Sequence, residues 1–191
     1  MPVPPFVPVL ARFVHASPAM KAPLLMAAII LLAISAQLSI PVEPVPITLQ
    51  SYTVITLAAL MGWQLGSFSM LVYIGLGLSG LHIFSNGRGG LEVLSGMSAG
   101  FIIGFLVVTV LVGWLQENWG RGRIWPLLVL LALGHVVLMA IGAGWMAVLR
   151  GPAFAWEKGF VPFVPGAVLK TLVAWGTVLL VERLARPAGR A

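Results

Sequence analysis

The stretch SGLHIFSNGRGGLEVLSGMSAG, Ser79 to Gly100, decides how the rest of the chain is read. Between Gln37 and Arg88 the only charged residue is Glu43, so Arg88 arrives after two apolar passes and inside a cluster of glycines. Gly87, Gly89 and Gly90 leave the backbone free to take positive φ and to approach a ligand closely. Their amide N–H groups would then lie beside a guanidinium that offers a carboxylate two parallel donors. The stretch reads as an anion-binding loop between membrane spans. The alternative is a loop in which the glycines only turn the chain and Arg88 snorkels to the interface as a topological anchor.

Working outward from that loop, the composition demands a membrane. The 191 residues are 60% hydrophobic and 8% charged, with a mean hydropathy of +1.05, and no water-soluble domain of this size hides so much apolar side chain. The net charge of +6 is not a nucleic-acid signature, because the basic residues stand singly at the ends of apolar runs. Cysteine is absent, which excludes disulfides and thiol catalysis. Histidines at 15, 82 and 135 fall in different segments without metal-ligand spacing. Aspartate is absent, the serines lack a matched base and acid, and no phosphate-binding loop for ATP occurs. No catalytic residue, cofactor or metal is expected.

The apolar runs place six spans, so the fold expected is an all-α integral membrane bundle. Ala22 to Ile40 is a charge-free run of about the ~20 residues needed to cross ~30 Å of hydrocarbon; a signal peptide is the alternative for it. Pro41, Pro44 and Pro46 force an extended connection, since each disfavours helix in the residue before it. Leu49 to Trp63 is a short second span. Gly62 to Gly66 separates it from a third, Ser67 to Ile83, with Gly75, Gly77 and Gly80 as a flat packing face. A short helix near Leu91 to Leu94 precedes the fourth, Gly96 to Gln116, where Ser98, Gly100 and Gly104 form a small-residue ridge. The fifth is Ile124 to Leu149, and the sixth Pro165 to Val181 follows an aromatic loop from Arg150 to Pro162. Residues 1–21 read as a cytoplasmic tail in which Phe6 to Phe13 lies at the surface, 22–183 as the transmembrane domain and 184–191 as a second cytoplasmic tail. Six spans put Arg12, Lys21, Arg121, Arg123, Arg183, Arg186 and Arg190 on one side and Arg88, Arg150 and Lys158 on the other. Both termini are therefore expected in the cytoplasm, with the irregular segments roofing an outward-facing pocket.

Lys170 is the second informative charge. It sits about five residues into the sixth span, roughly 7 Å below the helix start, and ionisable groups at that depth default to function; snorkelling to the outer interface is the alternative. His135, halfway along the fifth span, reads as a hydrogen-bonded bundle residue rather than a proton relay.

VPITLQ (Val45 to Gln50), GRGGLEVLSGMSAG (Gly87 to Gly100) and PFVPGAVLK (Pro162 to Lys170), in this order and spacing, resemble the BioY family, the biotin-binding S components of energy-coupling-factor (ECF) vitamin transporters. The resemblance covers about Gln37 to Thr171. It implies a six-helix substrate-capture subunit of the cytoplasmic (inner) membrane, with biotin under the outer loops. A transmembrane coupling protein and two cytoplasmic ATPases would drive release inward. Arg88 matches the arginine of the family's glycine-rich loop and Lys170 the lysine of its last helix. Where the family commonly has aspartate in PFLPGDLLK, this chain has Ala167, which removes an acceptor for the ureido N–H groups. In the small-residue docking pattern of the first helix, Ala33 keeps one place and Ile29 occupies the other. Biotin's carboxylate wants a cation, its rings want apolar walls and its ureido group wants donors and acceptors. For these the sequence offers Arg88 and Lys170, the loop amides of Gly89 and Gly90, and the polar groups of Asn86, Gln50, Thr48, Tyr52 and Tyr73. The competing readings are an integral membrane enzyme acting on a small anionic or lipid substrate, and a non-catalytic structural or channel subunit.

Overall fold

A computed structural model describes residues 8–10, 12, 18–119 and 124–185. The polar turn at 120–123, the C-terminal tail from 186 and most of the segment expected as an N-terminal tail lie outside the described residues. Five principal helices carry the fold: α1 Lys21–Gln37, α2 Gln50–Leu78, α3 Ala99–Trp119, α4 Ile124–Arg150 and α5 Val164–Leu184. By length and composition, four described stretches can cross a membrane, namely Gln50–Leu78, Ala99–Trp119, Ile124–Arg150 and Pro152–Leu184, while Lys21–Gln37 is a shorter apolar helix. The chain is a mostly helical, multi-pass membrane protein.

The helix α2 is not a rod. At 1.5 Å per residue a straight helix would separate Gln50 from Tyr73 by about 35 Å, yet Gln50 Nε2 donates to the Tyr73 hydroxyl at 2.8 Å. A Cβ on Gly66 would likewise lie 3.7 Å from Cα of Ala58. The chain folds back at Gly62, whose φ of 77° and ψ of 176° are non-helical and suit glycine alone. Residues 50–61 and 63–78 thus run antiparallel. The amide of Trp63, freed by the reversal, donates to Glu117 Oε1 at 3.1 Å, and α3 comes so close that a Cβ on Gly113 would collide with the backbone of Trp63. The sequence placed the interruption over five residues, 62–66; the structure spends one, because a glycine with positive φ and a carboxylate cap for the next amide suffice.

Other boundaries shift for physical reasons. Helix α1 ends at Gln37, short of Ile40, because Ser39–Ile40 forms strand β1 and pairs antiparallel with strand β2, Ile47–Thr48, closing the proline-rich connection on itself. The aromatic stretch after Arg150 is helical rather than a loop: Gly151, at φ 89°, breaks α4, Pro152 starts a new turn, and a π-helical segment Ala155–Phe160 followed by a 3-10 turn Val161–Phe163 runs directly into α5. Among the described residues of the N-terminal segment, Val9 is 2% exposed and Leu10 packs against the core, while Arg12 and Met20 are exposed.

The small-residue ridge on α3 is used against α4: a Cβ on Gly100 would strike the Trp145 side chain, and one on Gly104 would meet Leu138. Val54, Ile55, Val108, Val112, Leu131 and Val178 fill the centre between α2, α3, α4 and α5. Leu169, Leu172, Val173 and Leu180 of α5 point outward, as hydrocarbon demands and water would not. The buried hydroxyls of Ser69 and Thr109 are satisfied within their own helices, by the Leu65 and Phe105 carbonyls, whereas those of Thr56 and Ser67 have no partner among the described residues. On α1, Ile29 and Ala33 face the bundle, while Met26, Ile30 and Ile34 are exposed.

Candidate functional site

At the end of the bundle remote from Gly62, the 41–49 connection, the 79–98 loop and the approach to α5 meet over a cavity of about 670 Å³, counting its open mouth. Most of the wall is apolar. Phe101 and Phe105 stand one turn apart on α3, Phe163 stacks on Phe101 with ring centroids 5.3 Å apart, and Leu138 and Met139 of α4 close the far side.

Arg88 is carried by a loop that the bundle holds at several points. The loop doubles back as Phe84 and Arg88 pair across a three-residue turn, Ser85–Gly87, in which Asn86 (φ 60°) and Gly87 (φ 62°) both take the left-handed region. Gln37, the last residue of α1, clamps this turn: its Nε2 donates to the Phe84 carbonyl at 3.0 Å and its Oε1 accepts from the Gly87 amide at 3.2 Å. From the other side the Tyr73 hydroxyl donates to the Ile83 carbonyl at 2.8 Å while accepting from Gln50. The guanidinium is then aimed by neutral oxygens: Nε donates to the Ser85 carbonyl at 3.2 Å, and Nη2 to the hydroxyls of Ser85 at 3.2 Å and Ser98 at 3.0 Å.

Lys170, one face of α5 away, donates to the Thr48 carbonyl at 2.5 Å and to the Ser51 hydroxyl at 3.1 Å. Neither cation has a carboxylate among its partners. None of the five glutamates lines the cavity, and the ion pair of Lys158 with Glu157 is a surface contact elsewhere. Two cations held by neutral dipoles in an apolar chamber suit an anion small enough to be enclosed.

Of the residues singled out from sequence, Arg88, Lys170, Gln50 and Thr48 stand together on the cavity wall. The others do not. Tyr73 lies behind Gln50 and supports the loop, Tyr52 bonds Thr177 at 2.9 Å and ties α2 to α5, and Asn86 is exposed at the tip of the turn. The Gly90 amide is used by the Gly77 carbonyl at 2.8 Å, and a Cβ on Gly89 would collide with the Leu81 carbonyl. Gly89 thus serves close packing and Gly90 a positive-φ turn, rather than amide display. Sequence reasoning missed Ser51, Ser85 and Ser98, whose role as dipoles for the cations leaves no mark in the pattern. It also missed Phe101 and Phe105, whose spacing of four on one helix face was a usable signal. His135 was read as a bundle residue; it bonds Thr171 and also lines the cavity.

The BioY family profile matches residues 12–187. A probable biotin transporter BioY of Pyrococcus horikoshii is 34% identical over 154 residues, covering 81% of this chain and 89% of that one. The biotin transporter BioY of Rhizobium etli is 35% identical over 158 residues (78% and 83%), and that of Thermotoga maritima 33% identical over 155 (81% and 90%). Among solved structures, the S-component for biotin from an ECF-type ABC transporter has a similar fold. Its TM-score is 0.79 at 23% identity, over 88% of this chain and 93% of the other. With the profile spanning nearly its whole length, the chain belongs to the BioY family.

Proposed function

We propose that the protein is the biotin-capture subunit of an ECF transporter, a transport component and not a catalyst. The carrying observation is the cavity itself: Arg88 and Lys170 project into an apolar, phenylalanine-lined chamber with neutral partners only. Biotin supplies what such a chamber lacks, a single carboxylate and a bicyclic body for the apolar walls. The family and the names of the relatives agree with this choice of anion. In this reading Arg88 takes the carboxylate, because its nitrogen Nη1 makes none of the bonds that hold the loop. Binding isotherms for biotin and biotin methyl ester on purified protein test it. Biotin should bind far more tightly than the ester, and equal affinities would remove the anion reading.

The membrane arrangement we infer has six segments: α1, the two arms of α2, α3, α4 and the Pro152–Leu184 stretch. The fold-back at Gly62 supports it, since it turns residues 50–61 and 63–78 into two antiparallel segments instead of one rod. The packing of Pro8 against Gly62, at the end remote from the cavity, supports placing the N-terminus opposite the binding side. Residues 22–183 then form the membrane domain and residues 1–21 and 184–191 its cytoplasmic extensions. The seven-to-three distribution of basic residues orients it in the inner membrane with the cavity outward. A transmembrane coupling protein and two ATPases would complete the transporter.

A further inference from the structure

His135 is 3% exposed, lines the cavity, and has a ring nitrogen without a partner among the described residues. Its Nδ1 lies 3.2 Å from the Leu131 carbonyl and 2.9 Å from the Thr171 hydroxyl. The carbonyl can only accept. The Thr171 hydroxyl has one proton and donates it to the Ala167 carbonyl at 2.8 Å, so towards the histidine it too can only accept. Both neighbours therefore require the ring proton on Nδ1, and in that tautomer Nε2 carries a bare lone pair. Nε2 is buried and has no hydrogen-bond partner among the described residues, an arrangement that costs free energy unless a ligand completes it.

The rest of the chamber is rich in donors. Arg88 and Lys170 only donate, and the hydroxyls of Ser51, Ser85 and Ser98 already accept from them. A ligand that brings N–H groups needs acceptors here, which on the side chains are Gln50 Oε1 and His135 Nε2, and a lone pair on Nε2 would repel a carboxylate oxygen. We infer that His135 is a specificity-determining residue whose Nε2 accepts a hydrogen bond from an N–H of the ligand's neutral head, on the biotin reading one of the two ureido N–H groups. Thr171 acts as the positioning residue that fixes the tautomer. The His135–Thr171 pair stands beside Ala167, so a neutral imidazole supplies the acceptor that residue 167 does not. The ureido head then lies towards α4 and α5, and the carboxylate reaches Arg88 in the loop. The inference rests on the biotin reading above.

The test compares biotin with two analogues, each methylated on one ureido nitrogen, on wild type, His135→Leu and His135→Gln. Wild type should bind biotin and reject one analogue by about tenfold to a hundredfold, the range for leaving a buried polar group without its partner. His135→Leu should weaken biotin by a similar factor and lose that discrimination, while His135→Gln, which keeps an acceptor oxygen, should retain most of both. Should His135→Leu not fold, the wild-type protein labelled with 15N-histidine gives an independent readout. The Nε2 resonance absent from spectra of His135→Gln should move on adding biotin and stay still with the rejected analogue. Biotin and both analogues weakening equally in His135→Leu, or an Nε2 resonance indifferent to biotin, would overturn the inference while leaving the biotin reading standing. A wild-type protein that binds no biotin would overturn both.

Discussion

Arg88 is held by three bonds to neutral oxygens of Ser85 and Ser98, and these fix its direction without neutralising its charge. Arg88→Ala should therefore weaken biotin by about 1.5–3 kcal/mol, the range for a hydrogen bond to a charged group, while leaving the methyl ester nearly untouched; isotherms for both ligands decide. If acid and ester lose equally, the side chain shapes the loop instead of reading the carboxylate. Lys170 makes its two bonds to uncharged partners, so the ligand-free protein bears the cost of a partly buried cation. Lys170→Met should raise the melting temperature of the ligand-free protein and remove much of the rise that biotin produces, because a ligand bound only by the folded state adds RT ln(1 + [L]/Kd). Differential scanning fluorimetry with and without biotin measures both. The two cations were legible in the sequence because a lone charge in an apolar run has few other uses. The acceptor side of the site was not. Ser98 and His135 acquire their roles only when α3, α4 and α5 are brought together, and the glycines flanking Arg88 have more than one use, of which the structure takes the left-handed turn at Gly87 and close packing at Gly89.

Among the elements, α2 depends most on a single backbone geometry. Gly62 has a φ and ψ that other residues adopt at a cost of about 1–3 kcal/mol, and a Cβ there would meet the Glu117 carboxylate that caps Trp63. Gly62→Ala should lower the melting temperature with and without biotin by similar amounts and leave the affinity of the folded protein unchanged, since the fold-back lies some 18 Å of helix away from Gln50. A large loss of affinity with normal stability would mean that the reversal shapes the cavity directly. Helix positions in α3 and α4 were readable from charge-free runs and their polar ends. The start of α5 was readable to within a residue, Pro165 against Val164, but the helical path leading into it was not: Glu157, Lys158 and Pro162 look like loop residues, yet a π segment and a 3-10 turn accommodate them. The end of α1 differs for a related reason: Leu38, Ser39 and Ile40 continue the charge-free run, but Ser39 and Ile40 are used in a strand pair.

For the whole molecule, composition alone announced a membrane bundle, and three separated motifs announced the family; the cavity where the 41–49 connection, the Arg88 loop and α5 converge follows from their order. Orientation is testable independently of binding. Reporter fusions at Ala191 and within Gly120 to Gly122 should be active only with cytoplasmic reporters, and a periplasmic signal at either place would contradict the six-segment arrangement. The central claim is that this chamber holds biotin. It is tested most directly by mass spectrometry of small molecules extracted from the protein after purification from cells supplied with biotin, with Arg88→Ala prepared in parallel. The account predicts biotin at close to one molecule per chain from wild type and markedly less from Arg88→Ala. Wild-type protein that is folded but yields no biotin, or yields a different anion in that amount, would contradict it.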